Sequence, residues 1–480
     1  MTKILNTLTA AIIIFFTGNT AYSQKDTTEI IILHTNDMHA KIKNFDKLAA
    51  VVKQYKKNFK NVYLFSAGDI FTGNPVVDQY KDPGYPMINL MNKMPYDISC
   101  FGNHEFDYGQ QKLNERIKQA NFPFICANIK TNSESILKQP KAYNKFTTPE
   151  GITLGVLGLL QIGKNKLPDT SPLKLKNITI EDPFKTVKKY ETYKDSSDIF
   201  ILLSHLGYED DIKMSENFPY FDIIIGGHSH STLQNGKHNN GTYILQAGSY
   251  LKYCGVLKLK IVNRKIVSEE ESLINLYDIE NPVKEITGLI KQYDNNPQLN
   301  TVIGKAAKNI TGKDELGSMM TDAIKETLKT DIAFQNNGGI RIHEIPKGNI
   351  LLKQVFELSP FGNTFVTYEL RPYKIKKLVK YAYGIHNKST LQVSGINIEL
   401  ITRDNKLKKI ILKDEKGNKL PFKKYSVAIN DYMANAYKIR FLKKGKNTGL
   451  LDAKITVDFI KKHSPLDYSG VKRVFVKEIK

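Results

Sequence analysis

Residues 96–109, YDISCFGNHEFDYG, join a short apolar run to a dense cluster of polar side chains. Asn103, His104, Glu105 and Asp107 follow the run directly and lie between two glycines. An apolar run that is bounded by turn residues is typical of a buried strand. Polar residues this dense at the end of a strand predict either a polar turn or one wall of a reactive site.

Further apolar runs recur over residues 28–275, separated by stretches with a helical pattern. These runs are EIIILH, NVYLFSAGD, FPFICANI, TLGVLGLL, IFILLSHLG, FDIIIGGHSH, TYILQAG and GVLKLKIV. Their alternation with helical patterns predicts an α/β core. The polar stretch of residues 281–300 is flanked by prolines and predicts a linker helix. We therefore expect one domain over residues 24–280 and a second over residues 301–480.

The composition indicates an exported globular protein. The 480 residues are enough for about two or three domains, and the 41% hydrophobic and 25% charged contents are ordinary. At the N-terminus, MTK precedes the apolar AAIIIFF and the site AYS, which predicts a signal peptide over residues 1–23. No later stretch is apolar enough for a membrane helix. We expect a periplasmic or extracellular protein without membrane insertion.

The formal net charge is +22 at pH 7, but the lysines are spread along the chain in short clusters. No basic–aromatic repeat or nucleic-acid-binding module is recognisable. We therefore expect a solvated, lysine-rich surface that attracts anionic substrates, and no nucleic-acid partner. Cys100, Cys126 and Cys254 lie in strand-like segments, where we expect small buried hydrophobic side chains.

Polar side chains follow several of the predicted strands at the point where each strand ends. The set is Asp37, His39, Asp69, Asn103, His104, Asp107, His205, His228 and His230. Side chains just past the carboxyl ends of neighbouring strands meet in one crevice of an α/β sheet. Asp, His and Asn together suit Mn²⁺, Zn²⁺ or Fe²⁺. One Asp that bridges two such ions would provide the arrangement used in two-metal phosphoester hydrolysis.

Each of these motifs also has a structural interpretation. A GGHSH turn taken alone is structural more often than not, and D-x-H alone is weak evidence. Five motifs in order, each after a strand, are not expected by chance and predict a metal site. His34 and His238 fall outside the set, and we expect supporting hydrogen bonds or surface positions for them.

The order D-x-H, GD, GNHE, SH and GH-x-H resembles the calcineurin-like metallophosphoesterases. The stretches LHTNDMH, FGNHEFDYG, NNGGIR, PFGNTF and SPLD resemble one branch of them, the secreted 5′-nucleotidases. The resemblance extends over residues 28–475. It implies an α/β fold in which a four-layer αββα metallophosphoesterase domain is joined by a helix to a smaller α/β substrate-binding domain.

The resemblance also implies two divalent metal ions and their ligands. The implied ligands are Asp37, His39 and His230 for one ion, Asn103, His205 and His228 for the other, and Asp69 as the bridge. His104 would be the general acid or transition-state stabiliser, and Asp107 would orient it. Glu105 has no implied role, and we expect a structural hydrogen bond there.

In the second domain, the resemblance implies residues that bind the substrate. Arg341 of NNGGIR would meet the anionic end of the substrate, because a guanidinium group suits phosphate. Asn337 of the same motif and Asn363 of PFGNTF are the other implied contacts from these motifs.

Family members that act on nucleotides hold the base between two aromatic rings. Thr390 or Leu391 stands at the place of one ring, and Tyr437 or Phe441 could supply the other. Loss of one ring would weaken nucleoside binding by about 1–3 kcal/mol.

The motifs thus predict a two-metal hydrolase that releases phosphate from nucleoside 5′-monophosphates or related nucleotides. One alternative is the same chemistry on a sugar phosphate, a cyclic nucleotide, a nucleotide sugar or a sulfur ester. Another is a secreted binding protein without turnover, although a pure binder has no need of both His104 and Asp107. The expected partner is a small phosphoester, and the expected assembly is a monomer or dimer.

Overall fold

The computed structural model describes residues 27–163 and 165–479. The predicted signal peptide lies outside these residues. No helix among them is both long and apolar enough to cross a membrane. The chain forms an N-terminal and a C-terminal α/β domain.

The N-terminal domain alternates strands and helices. Its strands are β1 (Thr28–Thr35), β2 (Val62–Ser66), β3 (Ile98–Cys100), β4 (Phe124–Ile125), β5 (Ile129–Thr131), β6 (Tyr143–Thr147), β7 (Thr153–Leu160), β8 (Ile178–Ile180), β9 (Ile199–His205), β10 (Ile223–Ile225), β11 (Lys237–Asn239), β12 (Thr242–Leu245), β13 (Tyr253–Val262) and β14 (Lys265–Asn275). Its helices are α1 (Phe45–Asn58), α2 (Pro75–Asp78), α3 (Tyr85–Lys93), α4 (Gly109–Gln119), α5 (Pro183–Thr186), α6 (Tyr208–Asn217) and α7 (Lys284–Asp294).

Two six-stranded sheets form the centre of this domain. One has the strand order β14-β13-β1-β2-β3-β4, and the other has the order β11-β12-β10-β9-β7-β6. The strands that lead to the predicted ligands run parallel, β1 beside β2, β2 beside β3 and β9 beside β10. Their carboxyl ends therefore lie at the same edge of each sheet.

Side chains that alternate along each strand fill three apolar layers. On β1, Ile30 and Ile32 belong to the core between the two sheets, whereas Ile31 and Leu33 pack on the outer face of the first sheet. Helices α1, α3 and α4 cover that outer face, and α6 covers the outer face of the second sheet. The result is the four-layer αββα order that the resemblance implied, and that prediction is confirmed.

Helix α7 lies within the stretch in which a linker helix was expected. It is packed rather than free, because Ile286 and Tyr293 join the core of the N-terminal domain. The hydroxyl of Thr287 donates to a carboxylate oxygen of Asp46 in α1 at 2.7 Å. The apolar side chains on one face of α7 explain this packing, whereas its polar composition alone suggested a solvated connection.

The C-terminal domain is a second α/β unit. Its strands are β15 (Val302–Ala306), β16 (Ile310–Thr311), β17 (Ile332–Asn336), β18 (Glu344–Ile345), β19 (Gly348–Leu351), β20 (Thr364–Leu370), β21 (Leu391–Ser394), β22 (Asn397–Arg403), β23 (Lys406–Lys413), β24 (Tyr425–Asn430), β25 (Lys446–Leu451) and β26 (Val474–Glu478). Its helices are α8 (Gly312–Leu328), α9 (Leu352–Leu358), α10 (Pro372–His386), α11 (Asp431–Ala436) and α12 (Asp452–His463).

A five-stranded sheet of order β21-β17-β24-β20-β25 organises this domain. One core lies between this sheet, α10 and the smaller sheet β23-β22-β26. A second core on the opposite face packs α8 and α12 against the sheet. The three cysteines of the chain are buried and unpaired, as the sequence predicted.

Asp452, at the start of α12, is a buried carboxylic acid of the C-terminal domain. Its carboxylate accepts hydrogen bonds from the hydroxyl of Ser359 and, at 2.7 Å, from the backbone N–H of Ala453. Burial raises the pKa of this carboxyl group from 3.8 to about 7. Between about pH 4 and pH 7, Asp452 is therefore protonated in the folded chain and ionised in the unfolded chain.

This proton makes stability depend on pH in a defined direction. The contribution is fully present below about pH 4 and is lost as the pH rises through about 7, with a magnitude of up to about 4 kcal/mol. Asp452→Asn keeps the hydrogen-bonding groups without the ionisable proton. We expect its melting temperature to exceed that of the wild type at pH 8 and to equal it at pH 4.5, as measured by circular dichroism. Asp458→Asn, on the exposed side of α12, is the control; an equal gain at both pH values for Asp452→Asn would contradict the assignment.

Candidate metal centre

The ends of β1, β2 and β10 turn sharply before the candidate ligands. Asp37, His39, Asp69, His228 and His230 all have φ between 47° and 74°. This left-handed region is unfavourable for residues other than glycine, and such residues concentrate at functional sites. The backbone therefore aims these side chains into one crevice at a cost in local strain.

Glu105 holds the turn after β2 in place. Its buried carboxylate accepts backbone N–H bonds from Gly102 at 2.5 Å, Ile70 at 2.7 Å and Asp69 at 3.1 Å. Gly102 is required here, because a Cβ atom at that position would lie 2.1 Å from the carboxylate of Asp69. The structural hydrogen bond expected for Glu105 is thus a three-donor clamp on the loop that carries Asp69.

One cluster of possible metal ligands contains Asp37, His39 and His230, whose ligand atoms lie within 4.8 Å of one another. His39 Nδ1 donates to the carbonyl oxygen of Thr72 at 3.2 Å, so its Nε2 carries a lone pair. That Nε2 lies 3.0 Å from Nε2 of His230, which is 3.5 Å from the carboxylate of Asp37. These nitrogen and oxygen atoms converge on one point.

A second cluster contains Asp69, His205 and His228, again within 4.8 Å, and a third group joins His104 to His39 and Asp69 of these two clusters. His205 Nδ1 donates to the carbonyl oxygen of Ala67 at 2.7 Å, so Nε2 is the nitrogen that could bind a metal ion once it has lost its proton. His228 Nδ1 lies 3.1 Å from Oδ1 of Asn103, which brings the fourth predicted ligand to this cluster. The backbone N–H of His228 donates to Asp37, so a residue of the second cluster contacts a residue of the first.

The donor set fits divalent cations. His205 Nε2 is buried and has no hydrogen-bond partner within residues 27–163 and 165–479, although it lies 3.1 Å from a carboxylate oxygen of Asp69. A lone pair beside a carboxylate is unfavourable unless a proton or a metal ion lies between them. Burial lowers the pKa of His205, but the charges of Asp69 and Asp37 outweigh it and raise the pKa to about 10. This excess of buried negative charge is the environment that a bound cation would neutralise.

Burial also controls the other ionisable groups of the crevice. It raises the pKa of Asp37 to about 7 and lowers that of His230 to about 4. It lowers the pKa of His39 and of His228 as well. Neutral imidazoles are the form in which histidine binds a metal ion.

His104 and Asp107 form a buried pair beside the candidate metal ligands. His104 Nδ1 lies 2.6 Å from a carboxylate oxygen of Asp107, and its Nε2 faces Asp69 at 4.0 Å. The hydroxyl of Thr170 donates to Asp107 at 3.0 Å, and Lys174 donates to its backbone carbonyl. Burial opposes charge on His104, but Asp69 and Asp107 outweigh this effect and raise its pKa.

The C-terminal domain reaches this pair through Phe361. The Phe361 ring stacks on the His104 ring with centroids 5.5 Å apart and planes at 13°. Arg341 lies against the same phenyl ring, with Cζ 5.6 Å from its centroid. Lys174 of the N-terminal domain points to the Phe361 carbonyl oxygen at 3.5 Å. After burial, the charge of Arg341 contributes to the lowered pKa of His39 and of His230, and it opposes the rise in the pKa of His104.

The remaining predicted substrate residues make contacts within the C-terminal domain. The side chain of Asn337 accepts a hydrogen bond from Gln392 at 3.0 Å, and the carbonyl oxygen of Asn363 accepts one from the backbone of Asp452. Tyr437 lies in the core of the C-terminal domain.

Phe441 lies under Lys374, whose Nζ is 5.6 Å from the ring centroid. Thr390 donates its hydroxyl proton to the carbonyl oxygen of Ala382 at 3.0 Å. The substrate-binding roles of Asn337, Asn363, Tyr437 and Phe441 stay predictions.

Several residues at the site were missed by reasoning from the sequence, among them Thr170 and Lys174 beside Asp107. Phe361 stands in PFGNTF, the motif from which Asn363 was predicted, so this motif could also have identified Phe361 as a site residue. Asn36 donates to Asp37 at 2.7 Å and to the Gly248 carbonyl oxygen at 2.6 Å, and it also stands next to a predicted ligand. Tyr432 belongs to α11, which packs against residues Pro172–Leu175 of the N-terminal domain; nothing in its local sequence indicated this.

Two family models match the chain. The calcineurin-like phosphoesterase model matches residues 30–232, which contain both metal-ligand clusters and the His104–Asp107 pair. The 5′-nucleotidase C-terminal domain model matches residues 297–441, which contain Arg341 and Phe361. These matches confirm the resemblance that the motifs suggested.

Individual proteins match along nearly the whole chain. Protein UshA of Yersinia enterocolitica is 27% identical, and the alignment covers 94% of each chain. A 5′-nucleotidase of Vibrio vulnificus is 27% identical over 92% of each chain. The crystal structure of a 5′-nucleotidase precursor from Thermus thermophilus superposes with a TM-score of 0.81 and 24% identity, and covers 93% of this chain and 99% of that one. At this level of identity, the structural likeness shows the fold.

The three-donor clamp at Glu105 leads to a prediction. Glu105→Ala would leave three buried N–H groups without an acceptor, at about 1–3 kcal/mol each before relaxation. We expect a lower melting temperature and weaker Mn²⁺ binding in calorimetric titration. Glu105→Gln retains one acceptor oxygen and should be intermediate. Wild-type Mn²⁺ affinity in Glu105→Ala would show that the loop keeps its shape without the clamp.

Proposed function

We propose that this chain, a member of the 5′-nucleotidase family with a calcineurin-like phosphoesterase domain, hydrolyses nucleoside 5′-monophosphates to nucleosides and phosphate. The observation that carries the proposal is the buried pair Asp37 and Asp69, faced by imidazole nitrogens and flanked by the His104–Asp107 pair. This set is suited to phosphoester hydrolysis and not to binding alone.

The proposed ligands follow the two clusters. Asp37, His39 and His230 would hold one divalent ion, Asn103, His205 and His228 the other, and Asp69 would contact both. Mn²⁺, Zn²⁺ and Fe²⁺ suit this mixture of imidazole, carboxylate and amide ligands. The chemistry that such ions supply when bound is polarisation of a phosphoryl oxygen and activation of water as a nucleophile at neutral pH.

Residues of the protein itself would protonate the leaving group. Asp107 accepts a hydrogen bond from Nδ1–H of His104. This bond fixes the ring so that Nε2 points toward Asp69 and the centre of the site. A protonated Nε2 would donate to the leaving ribose oxygen as the bond to phosphorus breaks. Thr170 and Lys174 hold Asp107, and Phe361 covers the outer face of the imidazole and limits the access of water.

Arg341 would bind the phosphate from the C-terminal side. Its guanidinium rests on Phe361 and lies close enough to influence His39 and His230 electrostatically. A planar guanidinium with paired donors fits two phosphate oxygens. The phosphate would then lie between the metal ligands of one domain and the arginine of the other.

We further propose that the protein is exported. This proposal rests on the N-terminal sequence MTK, AAIIIFF and AYS, which has the order of a signal peptide.

The first test is phosphate release by the mature chain loaded with Mn²⁺ or Zn²⁺. The panel contains AMP, UMP, a 2′,3′-cyclic nucleotide, a UDP-sugar, glucose 6-phosphate and p-nitrophenyl phosphate. We expect nucleoside monophosphates to be the best substrates. His104→Ala should lower kcat about 10²- to 10⁴-fold, the usual effect of losing a general acid, while it still binds Mn²⁺. Turnover of glucose 6-phosphate without turnover of AMP would overturn the substrate assignment.

A second test concerns Arg341. Arg341→Met removes charge-assisted hydrogen bonds worth about 1.5–3 kcal/mol, so we expect kcat/KM for AMP to fall roughly ten- to hundredfold. The control is Arg264→Met, which breaks a surface pair with Asp198 in the other domain. If Arg341→Met and the control behave alike, the arginine does not contact the substrate.

A further inference from the structure

The positive charge of the chain is concentrated in one part of the C-terminal domain. Residues 371–446 contain twenty lysines and arginines and five aspartates and glutamates, which gives a net charge of +15. The whole chain has a formal net charge of +22. Two thirds of the excess charge therefore lies in less than one sixth of the sequence.

Helix α10 presents part of this charge as one exposed stripe. Lys376, Lys377 and Lys380 lie on its solvent side, in line with Tyr373, whereas Ile375 and other apolar residues face the core. Spacings of three and four residues place these lysines next to one another on the helix surface. At 15 residues, α10 is about 22 Å long, so the stripe is an extended feature.

Three further basic segments touch α10. Segment 421–424 meets its N-terminal end, where Arg371 Cζ lies 5.3 Å from the Phe422 ring centroid. Segment 438–446 lies along one flank, through the contact of Lys374 with Phe441. Segment 403–409 lies along the other flank, where the Tyr383 hydroxyl donates to the Asn405 carbonyl oxygen at 3.0 Å. We call the α10 stripe with these three segments the basic face.

Several acidic side chains of residues 371–446 pair with groups outside the basic face. Glu399 pairs with Lys413 at 2.7 Å and with Lys477 at 3.4 Å, and Glu415 pairs with Lys325 at 3.6 Å. Asp431 accepts a hydrogen bond from the hydroxyl of Thr364. These acids do little to neutralise the basic face.

Exposed aromatic rings lie among the lysines. Phe422 is 69% exposed and Tyr373 is 48% exposed. Phe422 has Arg371 on one side in space and Lys423 and Lys424 next to it in sequence. A cation beside an exposed ring offers both a contact for phosphate and a surface on which a base can stack.

The flank of the basic face that contains Phe441 leads towards the candidate active site. Tyr381 of α10 packs against Tyr437 with ring centroids 5.1 Å apart. Tyr437 directly follows α11, and α11 packs against residues Pro172–Leu175 of the N-terminal domain, near Lys174 and the dyad. A chain that lies along the basic face would thus reach the mouth of the crevice.

We propose that the basic face binds single-stranded nucleic acid. Lysines and arginines would contact the phosphates, and Phe422 and Tyr373 would stack with bases. The proposal departs from two sequence-based expectations, a diffuse charge and no nucleic-acid partner, because the contacts of α10 bring together segments that are separate in the sequence. It does not depend on the proposed hydrolytic function.

The chemistry of the face favours nucleic acid over a membrane surface. Phe422 and Tyr373 are exposed at its α10 end, and Arg371 lies against the Phe422 ring, where a base can stack. A lipid surface would instead be recognised by an apolar helix face, and the apolar face of α10 is buried in the core of the domain.

The test is fluorescence anisotropy of the mature chain with an end-blocked, labelled 20-nucleotide oligo-dT at 50–200 mM salt. We compare the triple variant Lys376→Glu, Lys377→Glu, Lys380→Glu with a matched control, Lys53→Glu, Lys56→Glu, Lys57→Glu on the exposed side of α1. Both variants have the same net charge. We expect the α10 variant to lose at least tenfold in affinity and the control less than twofold. The slope of log affinity against log salt should fall by about 2, the value for three lost phosphate contacts.

Phe422→Ala and an abasic 20-mer test the role of the bases. We expect Phe422→Ala to weaken oligo-dT binding several-fold and to leave binding of the abasic strand unchanged. Melting temperature and turnover of p-nitrophenyl phosphate should match the wild type in all variants, because none of these residues lies at the metal centre.

Several results would overturn the proposal. They are an absence of oligo-dT binding at 50 mM salt, equal losses in the α10 variant and its control, and equal affinity for the abasic strand. Binding to anionic phosphatidylglycerol vesicles without binding to oligo-dT would show that the face recognises a lipid surface.

Discussion

The Nε2 atom of His205 lies 3.1 Å from a carboxylate oxygen of Asp69 and 4.0 Å from one of Asp37. Two buried carboxylates this close to one imidazole are unstable without a compensating positive charge. Much of the N-terminal domain serves to hold this arrangement. The parallel strands bring the ligands to one edge, the left-handed turns aim them inward, and Glu105 fixes the backbone behind Asp69.

The sequence was sufficient to predict most of the N-terminal domain, because its strands are apolar runs that end in polar residues. The same pattern located every candidate ligand, since carboxyl ends of parallel strands meet at one edge. Contacts between the domains were not predictable in this way. Phe361 reaches His104, and Lys174 reaches Phe361, across more than 180 residues of sequence, and no local pattern encodes such a pairing. Tyr437 was a candidate for the base clamp because of its position in a motif, but it packs in the core.

The distribution of charge illustrates the same limit. Read along the chain, the lysines form short clusters that resemble an ordinary solvated surface. Their arrangement depends on which loops contact α10, and these contacts run through Arg371, Lys374 and Tyr383. A side chain that touches a neighbouring loop thus determines whether scattered charges act separately or as one surface.

The stacking of Phe361 on His104 has a consequence for the timing of the reaction. The candidate metal ligands and the His104–Asp107 pair all belong to the N-terminal domain, so the proposed ions would need no ligand from the other domain. The ring that covers His104 belongs to the C-terminal domain, as does the arginine that contacts this ring. Under the proposed roles, ion binding would need residues of one domain, whereas shielded proton transfer would need both domains. Separation of the two domains would then leave the ion ligands together and remove the ring that covers His104.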